Sequence, residues 1–304
     1  MNRILFGLVL LALSSGCSAV DPAGSSLTIQ GGVEDTGSYR GVVGLWIEHT
    51  ETFKHFCTGT IVRRDLVLTA AHCLSDYRHE NILTFKNYLE EGGREGLLKN
   101  GVKPLSYVKH PKSMFLNPRE DLAPYLKADV AFVVYPKDTF DESLIVPLAK
   151  DSVQTGEEVQ LVGYGATGPD PRDANPNAIR RSGMNIVFHI FGETRARAIM
   201  LKRRMHVPSS ALGFYGDSGG PLITKSGKLV GVLSYGVGAT DAYYANVTDR
   251  HLRSFIDSVL KGAPILNTQA SPQPGGCQGE NSKKVASGVA PQTCSLPPSS
   301  YEGR

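Results

Sequence analysis

Short β-rich runs at residues 41–47, 59–62, 66–69, 130–135, 159–162, 185–189, 221–223, 229–234 and 243–247 alternate with clusters of Gly, Pro, Asp and Asn. That alternation constrains the fold more than any other feature, because runs this short, bounded by turn formers, read as strands of a sandwich or barrel. One segment departs from it. Residues 249–260 place Leu252, Phe255, Ile256, Val259 and Leu260 on a helical period, so a single C-terminal helix is expected. A chain of 304 residues is long enough to bury a substantial core. Its formal charge of +3 is small for that length and gives no electrostatic reason to expect a nucleic-acid partner.

Three motifs carry chemistry. Gly216-Asp217-Ser218-Gly219-Gly220-Pro221 places a serine hydroxyl in a glycine-dense turn whose backbone amides can face a reacting carbonyl. Thr69-Ala70-Ala71-His72-Cys73 supplies a histidine at the end of an apolar run, and Asp129-Val130-Ala131-Phe132-Val133-Val134 supplies a carboxylate. A serine hydroxyl is a poor nucleophile at neutral pH unless a base removes its proton during attack, and an imidazole needs a partner on its far nitrogen to fix the tautomer.

With these residues in the order His, Asp, Ser, the chain from Ile29 to about Lys261 resembles the trypsin/chymotrypsin family of serine proteases. Subtilisin-like enzymes run Asp, His, Ser and α/β-hydrolases run Ser, Asp, His, so order separates folds that share the chemistry. The resemblance implies an all-β fold of two six-stranded antiparallel barrels, with the active site in the cleft between them and a short C-terminal helix. His72 and Asp129 would come from the first barrel and Ser218 from the second. It implies a monomer that hydrolyses protein or peptide substrates through an acyl-enzyme, with no metal or organic cofactor. The backbone N–H groups of Gly216 and Ser218 would form the oxyanion hole, and the Ser234 hydroxyl would lie near the Asp129 carboxylate.

Further expectations follow from the same resemblance. Ile29-Gln30-Gly31-Gly32 is similar to the family's Ile-Val-Gly-Gly start, which implies a zymogen: cleavage of the Thr28–Ile29 bond would free an Ile29 ammonium to pair with Asp217. Thr28 stands where Lys or Arg is usual, so a trypsin-like activator is not expected. The substrate pocket falls on Leu212, Gly213, Ser234, Tyr235, Gly236 and Ala242, an open apolar set suited to Phe, Tyr, Leu or Met before the scissile bond. A one-residue shift of register would instead bring Asp241 to its base. Cys57 would bridge to Cys73, as the matching family pair does.

The termini read differently. Residues 1–17 carry a charged start, Met1-Asn2-Arg3, and an apolar run from Ile4 to Leu13 too short for a permanent span, which together form an export signal. Leu13-Ser14-Ser15-Gly16-Cys17 resembles the bacterial lipobox and implies acylation at Cys17; ordinary cleavage near Ala19 is the alternative. Residues 18–28 form a propeptide or linker, 29–261 the protease domain, and 262–304 a Pro-, Ser- and Gly-rich tail, mostly disordered, in which Cys277 and Cys294 pair most simply with each other. Export from a bacterial cell, as a membrane-anchored precursor or a secreted enzyme, is the expected location, and it provides the oxidising compartment the cysteines need. His49, His55, His79, His110, His189, His206 and His251 lack metal-ligand spacing, so no zinc site is expected. Glu90, Glu91 and Glu95, and the basic run Arg195, Arg197, Lys202, Arg203 and Arg204, read as solvated surface. The reading from a different class is a lipid-anchored binding protein that reuses a protease scaffold, and Ser218→Ala would separate the two.

Overall fold

The computed structural model describes residues 29, 32–48, 54–74, 81–111, 128–166, 178–191, 198–204, 210–237 and 240–262. The export signal with Cys17, residues 18–28, Gln30, Gly31, His49, His79, Arg195, Arg197, His206 and the tail with Cys277 and Cys294 lie outside the described residues.

After a short strand β1 (Val33–Glu34), the chain builds a first sheet from β2 (Val42–Glu48), β3 (Lys54–Arg63), β4 (Leu66–Thr69), β5 (Ile82–Phe85), β6 (Ser106–Lys109) and β7 (Ala131–Val134), with helix α1 (Gly93–Asn100) between β5 and β6. The second sheet holds β8 (Glu158–Gly163), β9 (Arg181–Phe191), β10 (Ala198–Lys202), β11 (Pro221–Thr224), β12 (Leu229–Val237) and β13 (Asp241–Asn246), and α2 (Arg250–Leu260) follows. Both sheets are antiparallel. The first runs β5-β2-β3-β4-β7-β6. The second runs β1-β9-β10-β13-β12-β11-β8, and β8 pairs again with β9, so six strands close into a barrel with β1 added outside.

The first sheet has the six strands expected of a barrel, but its described ladder ends at β5 and β6, each four residues long, and forms a half-barrel. The strand runs read from sequence lie within, or within a residue of, β2, β3, β4, β7, β8, β9, β11, β12 and β13. β1, β5, β6, β10 and α1 were not separable by pattern. β10, Ala-Ile-Met-Leu-Lys, consists largely of good helix formers; it is a strand because β9 and β13 flank it and Ile199 and Leu201 fill the barrel.

Helix α2 begins where the Asp249 side chain accepts from the His251 amide at 3.0 Å, a capping bond for an otherwise unpaired donor. Leu252, Ile256 and Val259 are its buried face, and they join the core cluster that also contains Val67, Phe132 and Val133. Arg63 Nη1 donates to the Leu260 carbonyl at 2.7 Å, fastening the helix's end to β3.

The two sheets meet through polar groups. Thr58 on β3 donates its amide to the Ser218 carbonyl at 2.7 Å and its hydroxyl to the Gly216 carbonyl at 3.0 Å. The Tyr164 hydroxyl, just after β8, lies 2.8 Å from the Lys86 carbonyl and 3.1 Å from that of Val42. These bonds set the spacing of the cleft.

Candidate active site

His72 sits in the 3-10 turn Ala71–Leu74 that follows β4, and its neighbour Cys73 is disulfide-bonded to Cys57 on β3. The turn is held at both ends. Asp129, two residues before β7, is fully buried and aims its carboxylate at that turn. Oδ1 accepts the His72 backbone amide at 2.8 Å and Oδ2 accepts His72 Nδ1–H at 2.7 Å. Ser234 on β12 adds its hydroxyl to Oδ2 at 2.6 Å, so the second sheet completes a carboxylate supplied by the first.

Three donors compensate the burial of this charge. With the proton on Nδ1, Nε2 of His72 is left as an acceptor, and 22% of the side chain remains exposed. Burial disfavours the imidazolium, but the Asp129 charge and hydrogen bond outweigh it, and the His72 pKa lies above its ordinary value.

Ser218 is half-buried in the turn before β11, between Gly216 at φ 90° and Gly219 at φ 82°. A side chain at Gly219 would collide with Thr69 Oγ1 and the Thr58 carbonyl, so this glycine lets the serine turn lie against β3 and β4. The Gly219 amide donates to the Leu233 carbonyl and the Leu233 amide to that of Gly220, at 2.8 and 2.9 Å. These bonds tie the turn to β12.

Asp217 points the other way, into the second barrel. Its carboxyl accepts the amide of Gly165 on Oδ1 and that of Phe214 on Oδ2, both at 2.8 Å. Burial pushes its pKa up to about 7, against the lowering effect of the two amides and of the Arg181 charge. No side chain fits at Gly163 or Gly165: a Cβ at Gly163 would run into Asp217 Oδ1, and one at Gly165 would lie 2.6 Å from Asp217 Cγ.

Ile29, the expected partner of Asp217, is buried in the same barrel with Ala211 and Leu212, and in this uncut chain it carries no ammonium. Its φ of 31° is rare for a β-branched residue.

Of the expected pocket residues, Leu212 and Ala242 are buried, Tyr235 is half-buried and Gly236 is exposed, with the Asp241 and Gly213 carbonyl oxygens 3.6 and 3.8 Å from where a Cβ would stand. Gly213 packs so closely on Leu233 that a Cβ would overlap it. Ala242 pairs with Gly236, and strand alternation sends Asp241 to the face opposite Ala242 and Tyr244. Asp241 Oδ2 accepts instead from the Thr240 hydroxyl at 2.8 Å. Glu91 Oε1 accepts the amides of Lys86 and Asn87, which gives that acid a structural use within its loop. The grouping of possible metal ligands among the described residues is Cys57, His72 and Cys73, two of which are the sulfurs of the disulfide.

Thr58, Gly163 and Gly165 escaped the sequence reading. The Gly163-Tyr164-Gly165 repeat at the end of a strand run was the available signal, since glycine there marks a close approach of another group.

The family model described as Trypsin matches residues 29–256. The chain belongs to the trypsin family. It is a trypsin-like serine endopeptidase. Among curated relatives of this trypsin-family chain, alpha-fibrinogenase albofibrase of Trimeresurus albolabris is 24% identical over 280 residues, covering 88% of the chain and 97% of the relative. Seminase of Drosophila melanogaster is 27% identical over 229 residues, covering 72% and 78%. Among solved structures, human heparin binding protein aligns with a TM-score of 0.53 at 18% identity, over 76% of this chain and 96% of its own. The scabies mite inactivated protease paralogue S-I1 aligns with a TM-score of 0.53 at 22% identity, over 75% and 98%. Those two likenesses concern the fold alone.

Proposed function

We propose that this endopeptidase is exported, is made as a zymogen cleaved before Ile29, and hydrolyses peptide bonds after apolar or aromatic residues through an acyl-enzyme. The observation that carries the reading is the Asp129 carboxylate, which holds both His72 Nδ1 and the His72 amide while taking Ser234 from the other sheet. Ser218 Oγ attacks the scissile carbonyl as His72 Nε2 takes its proton. The Asp129 charge stabilises the imidazolium, and the amides of Gly216 and Ser218 receive the oxyanion. His72 then protonates the leaving amine. Water repeats the sequence on the acyl-enzyme, and no step draws on a metal or cofactor.

Two features of Ile29 support the zymogen step. A β-branched residue in the left-handed region costs of order 1–3 kcal/mol, and a residue that has become the N-terminus has no preceding peptide to define φ. Cleavage also creates an ammonium for a buried carboxyl that has none. Leu212, Gly213, Gly236 and Ala242 support an apolar preference, with Ser234 and Tyr235 lining the approach.

Residues 1–17 are the proposed export signal, and acylation of Cys17 would anchor the precursor in a bacterial envelope until cleavage after Thr28 releases the active domain. Neither its substrates nor its activator need be shared with the relatives.

The test is the intact mass of the exported protein before and after a serine-directed phosphonate. The expected result is a species beginning at Ile29 that gains one probe mass, with the gain abolished by His72→Ala and by Ser218→Ala. Labelling that survives Ser218→Ala, or an Ile29 species that takes no probe, would overturn the reading in favour of a binding protein. Active enzyme with an acylated Cys17 at its N-terminus would overturn the release step, and cleavage of a peptide library chiefly after Lys or Arg would overturn the apolar preference.

A further inference from the structure

Gly216 sits at φ 90°, a conformation open to glycine and costly for other residues, so its own dihedrals do little to fix the turn that carries Ser218. The peptide groups on either side of it are fixed from outside. The Tyr215 carbonyl accepts the Ala166 amide at 2.6 Å, from the segment after β8, and the Gly216 carbonyl accepts the Thr58 hydroxyl at 3.0 Å, from β3. N–H and C=O point opposite ways across a planar trans peptide, so tying the Tyr215 carbonyl also sets the direction of the Gly216 N–H. Within the turn, the amides of Asp217, Gly219 and Gly220 donate to the carbonyls of Phe214, Leu233 and Asp217. Those of Gly216 and Ser218 donate to no group among the described residues.

Thr58 is fully buried, and each of its polar groups is engaged. Its amide donates to the Ser218 carbonyl at 2.7 Å, its carbonyl accepts the Thr69 hydroxyl at 2.8 Å, and its own hydroxyl accepts the Tyr164 amide at 3.1 Å. That leaves the single hydroxyl proton for the Gly216 carbonyl. The preceding residue, Cys57, is covalently joined to Cys73 beside His72, so neighbouring residues of one strand hold the base and the turn of the nucleophile. Thr60, two residues further along β3, is buried as well, but its hydroxyl has no partner among the described residues.

We infer that Thr58 is a positioning residue for the oxyanion hole: its hydroxyl, reaching from the first sheet into the second, locks the Gly216–Asp217 peptide and so keeps the Gly216 amide aimed at the oxyanion. The inference rests on the proposed role of the Gly216 and Ser218 amides. With Ala166 holding the peptide before Gly216 and Thr58 the peptide after it, the glycine cannot rotate about its own bonds without breaking a hydrogen bond. Loss of the Thr58 hydroxyl releases one of the two ties. The Gly216 carbonyl then turns to find another donor and carries the neighbouring amide out of line. A bound substrate carbonyl draws less on that amide than the charged oxygen of the tetrahedral intermediate does, so the loss falls on the chemical step.

The experiment compares wild type, Thr58→Val, Thr58→Ser and Thr60→Val as exported protein, with the N-terminus of each established by mass. Single-turnover acylation by an activated ester is measured beside the affinities for a peptidyl trifluoromethyl ketone and for the matching peptidyl alcohol. In the ketone adduct Ser218 Oγ bonds to the carbonyl carbon, the C=O π pair becomes the oxyanion charge, and the serine proton passes to His72; the alcohol fills the same site and forms no adduct. Thr58→Val should lower acylation about 30-fold, short of the 10²–10³ typical of removing a donor outright. It should weaken the ketone by the same factor and leave the alcohol within about twofold of wild type. Thr58→Ser should bring acylation back to within about threefold of wild type, since it keeps the donor, and Thr60→Val should leave all three quantities unchanged.

Equal weakening of ketone and alcohol, no rescue by serine, or a matching loss in Thr60→Val would make Thr58 a merely structural residue and overturn the inference. Undiminished acylation by Thr58→Val beside an active wild type would overturn it alone, leaving the peptidase reading intact. A wild type that neither acylates nor binds the ketone more tightly than the alcohol would overturn both. Thermal melting of each variant accompanies the kinetics, and if Thr58→Val fails to fold, the decision passes to Thr58→Ala, which removes the same hydroxyl and leaves space for water to satisfy the Tyr164 amide.

Discussion

A methyl group placed on Gly165 would tell whether the Asp217 carboxyl has room to move. An alanine Cβ there would lie 2.6 Å from Asp217 Cγ and Oδ2 and 2.7 Å from Oδ1, well inside ordinary contact. Gly163 lies on the carboxyl's other side, close enough that a Cβ there would run into Oδ1. Overpacking alone costs about 1–3 kcal/mol. If the carboxyl is forced off the Gly165 and Phe214 amides, two hydrogen bonds to a charged group are lost, each worth about 1.5–3 kcal/mol. We expect Gly165→Ala to destabilise the protein by about 1–3 kcal/mol if the carboxyl keeps both amides and by about 4–9 kcal/mol if it loses them, and, because Phe214 and Gly216 flank the displaced group, to lower the acylation rate by about 10²–10³.

The assay is a double-mutant cycle with Asp217→Ala, read by urea denaturation and by acylation. Removing the carboxyl first should abolish most of the cost of the methyl group, leaving a coupling energy well above the 0.5 kcal/mol of independent sites. Additive effects, or a Gly165→Ala protein within about 0.5 kcal/mol of wild type, would refute the claim that this carboxyl is confined by two glycines.

Asp129→Asn should lower kcat by about 10⁴, because a carboxamide can hold the wrong imidazole tautomer; a loss below tenfold would show that His72 is oriented by other groups. The pH profile of kcat/KM should fall as pH drops through the His72 pKa, with a midpoint above the ordinary 6.5, since Asp129 raises that pKa and a protonated imidazole cannot accept the Ser218 proton. The same raised pKa contributes stability that is present below 6.5 and lost as pH rises through the folded value. Asp217 acts similarly on the uncut chain: its pKa rises from 3.8 to about 7 on folding, so the folded state holds the proton more tightly and stability should decline between those values. Urea midpoints of the uncut wild type measured against Asp217→Asn would check it, an identical pH slope being the adverse result. Replacing Cys57 and Cys73 together by serine should cost about 3 kcal/mol, the value for a loop of some 15 residues, and an unchanged urea midpoint would show that the turn holding His72 does not depend on the bridge.

What the sequence determined by itself was local or compositional. Short runs such as Leu66–Thr69 and the helical period before Leu260 are written in side-chain periodicity, because alternate faces of a strand and one stripe of a helix must be apolar to be buried. His72, Asp129 and Ser218 were legible because peptide-bond hydrolysis by this route needs a base, a carboxylate and a nucleophile, and their order distinguishes this fold from others with the same chemistry.

Only the tertiary structure decided what depends on register and on contacts between distant segments. Thr58 reaches Gly216 across 158 residues, and Ser234 reaches Asp129 across 105. No local pattern records such a meeting, since the apolar alternation of a strand is the same whichever partner it finds. Register likewise set Ala242 opposite Gly236, and the second pairing of β8 with β9 closed one sheet while the described ladder of the first ends at β5 and β6. The room for the Asp217 carboxyl arose from the absence of two side chains, Gly163 and Gly165, whose meaning is invisible until the group they make way for has been brought beside them.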